Sequence, residues 1–250
     1  MSGHNKWSSI KHRKAAQDSK RGAAFDKIIR ELVVAAREGG ADPAANYALS
    51  SAIEKAKQAN MPKDTMEKAI KRGAGGTDGA NYQRMLYEGR GPGGTALIIA
   101  ALTDNRNRTV ADIRHIFSKH GGSLGENGSV SWMFQRKGLL VLQGEYDEDA
   151  LLEACLDAGA ENYRVDGDRV EVYCGPDDFH AVREWFNSSD AYEVVETELA
   201  MVAKDEVEVT EGREARKLLR MLEAFEENDD IQNVYSNWSM SDELIEQATR

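Results

Sequence analysis

The chain has 250 residues and a mass of 27.7 kDa, with 41% apolar and 30% charged residues; this is the composition of an ordinary globular protein built as one large domain or several small ones. Its formal net charge is −11, from 32 Lys and Arg against 43 Asp and Glu. The longest apolar run, Ala96 to Leu102, is far short of the roughly 20 residues that span a bilayer, two cysteines exclude a disulfide framework, and the N-terminus lacks the apolar stretch of a signal peptide, so a cytoplasmic protein with no membrane contact is expected.

The charge is unevenly placed. Residues 1–80 hold 15 basic and 9 acidic side chains, whereas residues 81–250 hold 17 and 34. Within the first 21 residues six cations, Lys6, Lys11, Arg13, Lys14, Lys20 and Arg21, accompany one acid, Asp18. These residues show no apolar stripe and read as an arm. A cationic end on an anionic body suits a polyanionic partner met in one orientation.

Beyond the arm, Phe25, Ile28, Ile29, Leu32 and Val33 recur at helical spacing and predict a buried helix face that Gly39 and Gly40 end. Asp42-Pro43 reads as the start of a second helix, with Asp42 as its N-cap. Its stripe is Ala45, Leu49, Ala52, Ile53 and Ala56. A third helix begins near Pro62, carries Met66, Ala69 and Ile70, and stops at Gly73. Residues 1–80 are thus a basic arm plus a three-helix domain, closed by a glycine-rich linker at 73–80.

After the linker the period turns strand-like. Strands are predicted at 84–89 and 95–103, then a helix with Val110, Ile113 and Phe117, then a strand at 129–135. Residues 138–204 read as a self-contained β-α-β-β-α-β unit, with Asp166-Gly167 as its hairpin turn and Cys155 and Cys174 as buried thiols. A helix (Ala215, Leu218, Leu222, Phe225) and a strand at 231–235 follow. They are too few for a domain of their own, so they are expected to complete the sheet begun at 84–135. The predicted fold class is α+β: a helical N-terminal domain, then two α/β sandwich-like domains, one of them ferredoxin-like. The second domain is discontinuous (81–137 and 205–250), and the ferredoxin-like unit is inserted in it.

No catalytic constellation appears. The chain has no His-Glu-x-x-His, no Cys-x-x-Cys, no nucleophile elbow and no dinucleotide fingerprint, so a non-enzymatic protein without metal or cofactor is expected. Two segments carry other chemistry. In the arm, Trp7 can stack on a base or anchor the arm while the cations neutralise phosphates. Between a predicted strand and helix, Arg106 and Arg108 sit where the helix dipole opposes cations, at about 0.3–1 kcal/mol each. Either a bound anion or pairing with Asp104 or Asp112 relieves that cost. A weaker set is Lys63, Lys68, Lys71 and Arg72 on the third helix.

The stretches GHNKWSSIKHRKAAQDSKRGAAFDKIIREL, YEGRGPGGTALIIAALTDNRNRTVADIRHIFSKHGG and SLGENGSVSWMF resemble the YebC/PmpR family. The resemblance covers essentially the whole chain and is strongest over residues 3–37 and 87–134. It implies a three-domain protein with a helical N-terminal domain, acting in the cytoplasm as a regulator of gene expression. Bacterial members are described as DNA-binding transcriptional regulators, mitochondrial relatives as translational activators, and some bacterial members as ribosome-associated. The expectation is a DNA-binding transcriptional regulator with contacts from Lys6, Trp7, Lys11, Arg13, Lys14, Lys20, Arg21, Lys71, Arg72, Arg106 and Arg108. The alternative partner is ribosomal RNA, in a translational role. The acidic C-terminal domains are better suited to a protein partner.

Overall fold

A computed structural model describes residues 19–75 and 81–249, with side chains from residue 24 on. Helix α1 (Ser19–Gly39) packs on α2 (Tyr47–Gln58) and α3 (Lys63–Ala74). Their core is Leu32, Val33, Ala36, Leu49, Ala52, Ala56, Met61 and Met66. At Gly73 a Cβ would come within 2.3 Å of the Val33 carbonyl, so glycine is what lets α3 approach α1.

The second helix does not begin at Asp42. Asp42 instead closes a turn, its Oδ1 accepting the Ala44 N–H at 3.0 Å. The N-cap is Asn46, whose Oδ1 accepts the Leu49 N–H at 3.1 Å. Its Nδ2 donates to the carbonyls of Ala35 at 2.7 Å and Gly40 at 2.8 Å. One buried amide thus serves the start of α2 and the end of α1 together, which an acceptor-only aspartate cannot do.

The chain continues through β1 (Gln83–Arg90), β2 (Ala96–Thr103), α4 (Arg106–Lys119), β3 (Ser123–Leu124), β4 (Phe134–Gln143), α5 (Glu148–Ala158), β5 (Asn162–Asp166), β6 (Arg169–Cys174), α6 (Phe179–Asn187) and β7 (Glu193–Ala203). It ends with β8 (Val207–Glu208), α7 (Gly212–Glu226), β9 (Ile231–Ser236), β10 (Trp238–Ser239) and α8 (Asp242–Thr249). Two antiparallel sheets result, in the orders β3-β1-β2-β9 and β5-β6-β4-β7. The second order, with α5 and α6 as its crossovers, is ferredoxin-like.

The predicted strand at 129–135 forms only at its last two residues. Ser131–Met133 form a single 3-10 turn, and β4 starts at Phe134 and runs unbroken to Gln143, uniting two predicted strands. The cause is Glu88 on β1. Its carboxylate accepts the N–H groups of Gly128 at 2.8 Å, Val130 at 2.7 Å and Ser131 at 2.8 Å. An extended strand aims successive N–H groups to opposite edges and cannot converge three on one carboxylate. Burial pushes the Glu88 pKa up, but these three donors outweigh it and hold the carboxyl below its ordinary value. The pinned loop leaves Trp132 64% exposed.

Alternation along two strands builds the layers. On β2, Leu97, Ile99 and Ala101 face Ile113 and Phe117 of α4 and Leu218, Leu222 and Phe225 of α7. Ala96 and Ile98 face the other way, onto Leu139 and Val141 of β4 and Ala200 of β7. On β4, Leu140 and Leu142 face Leu151 of α5 and Val182 and Phe186 of α6. The order is helix, sheet, sheet, helix, so each sheet buries both faces and both outer surfaces are helical. Cys155 and Cys174 are free thiols in the ferredoxin-like core, and burial pushes each pKa to about 11.

Candidate nucleic-acid interface

The structure separates the cations singled out in the sequence. Lys6, Trp7, Lys11, Arg13 and Lys14 lie outside the described residues. Lys20 and Arg21 fall in the first turn of α1, where only the backbone is described. Lys71 and Arg72 are exposed in the last turn of α3, where cations complement the helix dipole. Arg106 and Arg108 open α4, capped by Asn105, whose Oδ1 accepts the Arg108 N–H at 3.1 Å.

The two arginines have different fates. Arg108 donates to Asp230 at 2.8 Å and to Asp104 at 3.0 Å. Asp230 also accepts from Thr109 Oγ1 at 2.8 Å, Thr103 Oγ1 at 3.2 Å and Arg30 Nη1 at 2.7 Å. The anion that relieves the crowded helix N-terminus is therefore the chain's own. Asp104 was legible as a neighbour four residues away; Asp230, brought in by β9, was not. Burial pushes the Asp230 carboxyl up, but its bonds to Arg108, Thr109 and Arg30 outweigh this and hold it below the ordinary value. Arg106 is exposed and makes no ion pair among the described residues.

Other exposed cations lie on α7 and on the far end of α4. On α7, Arg213, Arg216 and Arg220 recur at spacings of three and four, opposite the buried Ala215, Leu218 and Leu222. That spacing puts them on one outward stripe. Helix α4 lies antiparallel beside it: Phe117 meets Phe225, ring centroids 4.9 Å apart, while Gly121 lies beside Lys217. Helix α4 adds exposed Arg114 and Lys119 to the same outer layer. None of Arg106, Arg114, Lys119, Arg213, Arg216 and Arg220 forms an ion pair among the described residues. Lys217, on the flank, is held by Glu214 at 2.9 Å.

His120, at the α4 C-terminus, registers this field. Burial lowers its pKa, and the charges of Lys119, Arg220 and His115 lower it further. The stripe Arg213, Arg216 and Arg220, with Lys119 beside it, is a concentration of exposed cations without ion pairs among the described residues. Counting residues 81–250 as one acidic block hid it. The signal was present in the helix at 212–226, where the face opposite its apolar stripe carries Arg213, Arg216, Lys217 and Arg220.

Among the described residues no His, Cys, Asp and Glu cluster could hold a metal ion, and no helix is long and apolar enough to cross a membrane.

Sequence profiles of two domains match the chain: the TACO1/YebC protein N-terminal domain over residues 5–76, and the TACO1/YebC second and third domain over residues 82–238. A probable transcriptional regulatory protein of Acidithiobacillus ferrooxidans is 51% identical over 243 residues, covering 97% of this chain and 96% of the relative. One of the same description from Desulfatibacillum aliphaticivorans is 52% identical over 249 residues, covering 98% and 99%. The crystal structure of a conserved hypothetical protein of Aquifex aeolicus, 39% identical, superposes with a TM-score of 0.83 over 90% of this chain and 93% of that one.

Proposed function

The chain belongs to the TACO1/YebC family, and from that premise we propose that it regulates transcription by binding duplex DNA, acting by binding and not by catalysis. The observation that carries this reading is the outer stripe of α7, Arg213, Arg216 and Arg220, exposed without ion pairs among the described residues, with Lys119 of α4 and Arg220 both close to His120, on a chain of net charge −11. An acidic protein has no solvation reason to gather cations on one face. Phosphates supply one, because each neutralised phosphate releases condensed counterions.

The surface positions the nucleic acid more than it reads it. Arginines along a helix flank match phosphates, which position a duplex without reading its bases. The cations of the arm, Lys6 to Arg21, and Lys71 and Arg72 on α3 would extend the contact and orient it. With about five phosphates neutralised, affinity falls roughly 500-fold between 50 and 200 mM salt.

The test is titration of a labelled duplex and of structured ribosomal RNA at matched ionic strength, with the full chain and with Arg213, Arg216 and Arg220 changed to Ala. Salt-dependent duplex binding that the triple change weakens supports the reading. Tight RNA binding beside weak duplex binding moves the function to translation.

A further inference from the structure

The sheet under the basic layer has an open side. In the order β3-β1-β2-β9, β3 pairs only with Gly89 and Arg90, so residues 83–88 of β1 have a strand partner on one edge alone, β2. The ladder fixes which backbone groups face outward. Ala96 of β2 bonds Asn237 just past β9, so Ala96, Ile98 and Ala100 turn toward β9, and Leu97, Ile99 and Ala101 turn toward β1. Their partners there are Gly89, Tyr87 and Met85. The N–H and C=O groups of Arg84, Leu86 and Glu88 therefore point out of the sheet. The Glu88 carbonyl accepts the Gly125 N–H at 2.8 Å, whereas Arg84 and Leu86 have no outward backbone partner among the described residues.

The two faces beside this edge differ in chemistry. Met85 and Tyr87 project into the core under α4, and Arg84 and Leu86 project the other way. Leu86 is 57% exposed. It lines a cavity of about 740 Å³ together with Ala100, Leu102 and Met201, so the cavity opens beside it. The charges lining that cavity balance, Glu31, Glu38 and Glu198 against Lys55, Arg84 and Arg136. On the α4 face they do not. Burial pushes the Tyr87 hydroxyl pKa up, and Arg106 lies close enough for its charge to pull it back. Arg114 follows about two turns on. Thr109 bonds Asp230, and Arg220 of α7 adds to the burial that lowers the His120 pKa, so that flank of α4 turns toward β9 and α7. Arg114 is about 120–140° round the helix from both and stands on the opposite flank, on the side of β1 and β3. Arg106 and Arg114 are exposed and form no ion pair among the described residues.

We infer that the outer edge of β1 receives an extended segment of a partner protein in which apolar residues alternate with Asp or Glu. Its backbone pairs with Arg84 and Leu86 as an added strand. The residue opposite Leu86 shares its face and lays an apolar side chain beside it at the cavity mouth. The residues before and after it project to the other face, where their carboxylates meet Arg106 and Arg114. A nucleic acid would offer phosphates to the same arginines but leave the strand edge and Leu86 unused, and the basic arm of this chain is repelled by them. The surface lies on the flank of α4 away from α7, so failure of the DNA reading would leave it untouched.

The probe is a labelled octapeptide of alternating Glu and Val, titrated onto the full chain by fluorescence anisotropy beside alternating Lys-Val and Glu-Gly peptides. Glu-Val should bind saturably, and the other two at least tenfold more weakly. Leu86→Pro removes one outward N–H that takes no part in the pairing to β2, and should weaken Glu-Val binding at least tenfold. Arg106→Glu with Arg114→Glu should reverse the preference, so that Lys-Val binds more tightly than Glu-Val. Both arginines are exposed, so this variant decides alone if Leu86→Pro unfolds the chain. Changing Arg213, Arg216 and Arg220 to Ala should leave Glu-Val binding within roughly twofold. The inference is overturned by absent saturable binding, by equal binding of Glu-Gly or Lys-Val, by full binding in a folded Leu86→Pro variant, or by a preference that the double reversal leaves unchanged. It is equally overturned if the α7 variant loses the peptide, if single-stranded RNA displaces it, or if sedimentation shows self-association that Leu86→Pro abolishes, which makes a second copy the occupant.

Discussion

The two outer layers of the sandwich are built alike and charged oppositely. Each is a pair of helices over an antiparallel sheet, held by leucine, valine and phenylalanine side chains. On α7 the outward stripe of the first three turns carries Arg213, Arg216 and Arg220, with Glu223 and Glu226 following in the last turn; on α5 the exposed positions are aspartate, glutamate and leucine. The buried faces are interchangeable in chemistry and the exposed ones are not. Packing therefore accounts for the layers, and the sign of the surface calls for an explanation in partners.

The largest expected effect separates the layers directly. Changing Arg213, Arg216 and Arg220 to Ala should lower duplex affinity roughly 500-fold at 0.1 M salt and reduce the salt slope by about 2.7. Anisotropy titrations at several salt concentrations measure both. If the slope is unchanged, the basic layer is not the DNA surface and the contrast loses its meaning.

Next is the internal anion that distinguishes Arg108 from its exposed neighbours. Asp230→Ala leaves Arg30 and Arg108 without their shared carboxylate; because Arg108 is half-exposed and stays solvated, the loss is that of hydrogen bonds to a charged group, about 1–2 kcal/mol. Thermal and denaturant unfolding report it. The pH dependence has a defined sign, because the folded carboxyl titrates below its ordinary value of 3.8. Its contribution is present above that value and is lost as pH falls through the lower folded one. The variant should lose that part of the acid sensitivity.

Weaker changes probe the far layer. Glu153→Lys with Asp157→Lys should raise duplex affinity less than threefold, since the two layers are separated by two sheets and screened beyond about 10 Å. The smallest effect is a titration shift. The His120 pKa, lowered by burial and by Lys119, Arg220 and His115, should rise when duplex DNA covers the α4–α7 face. Histidine ring resonances followed by NMR against pH show it.

Much of this architecture was legible in the sequence, for physical reasons that also mark where legibility stops. The α2 stripe at Leu49, Ala52 and Ala56 is a local pattern, and local pattern is what periodicity reports, whereas the hairpin turn read at Asp166-Gly167 falls one residue later, because Asp166 still pairs with Arg169 and Gly167-Asp168 turn the chain. The N-cap moved from Asp42 to Asn46 because the winning side chain bonds the end of another helix, a tertiary fact. The segment at 129–135 alternates like a strand, yet a carboxylate 40 residues earlier folds it into a turn. Of the exposed cations, Arg106 was visible and those on α7 were not, because windowed charge averages stripe and counter-stripe together. The arm residues from Lys6 to Lys14 lie outside the described structure, so their part in binding rests on the sequence.

The placement of β9 beside β2 has a consequence for synthesis. The sheet under the basic layer is completed by residues 231–236, and its helical cover by 212–226, whereas the ferredoxin-like unit closes by residue 203. On a chain emerging from its N-terminus, the inserted unit can therefore finish folding while β1, β2 and α4 still wait for their last strand. A message truncated after codon 203 would yield a product that keeps the acidic layer and α4 and lacks α7 with Arg213, Arg216 and Arg220.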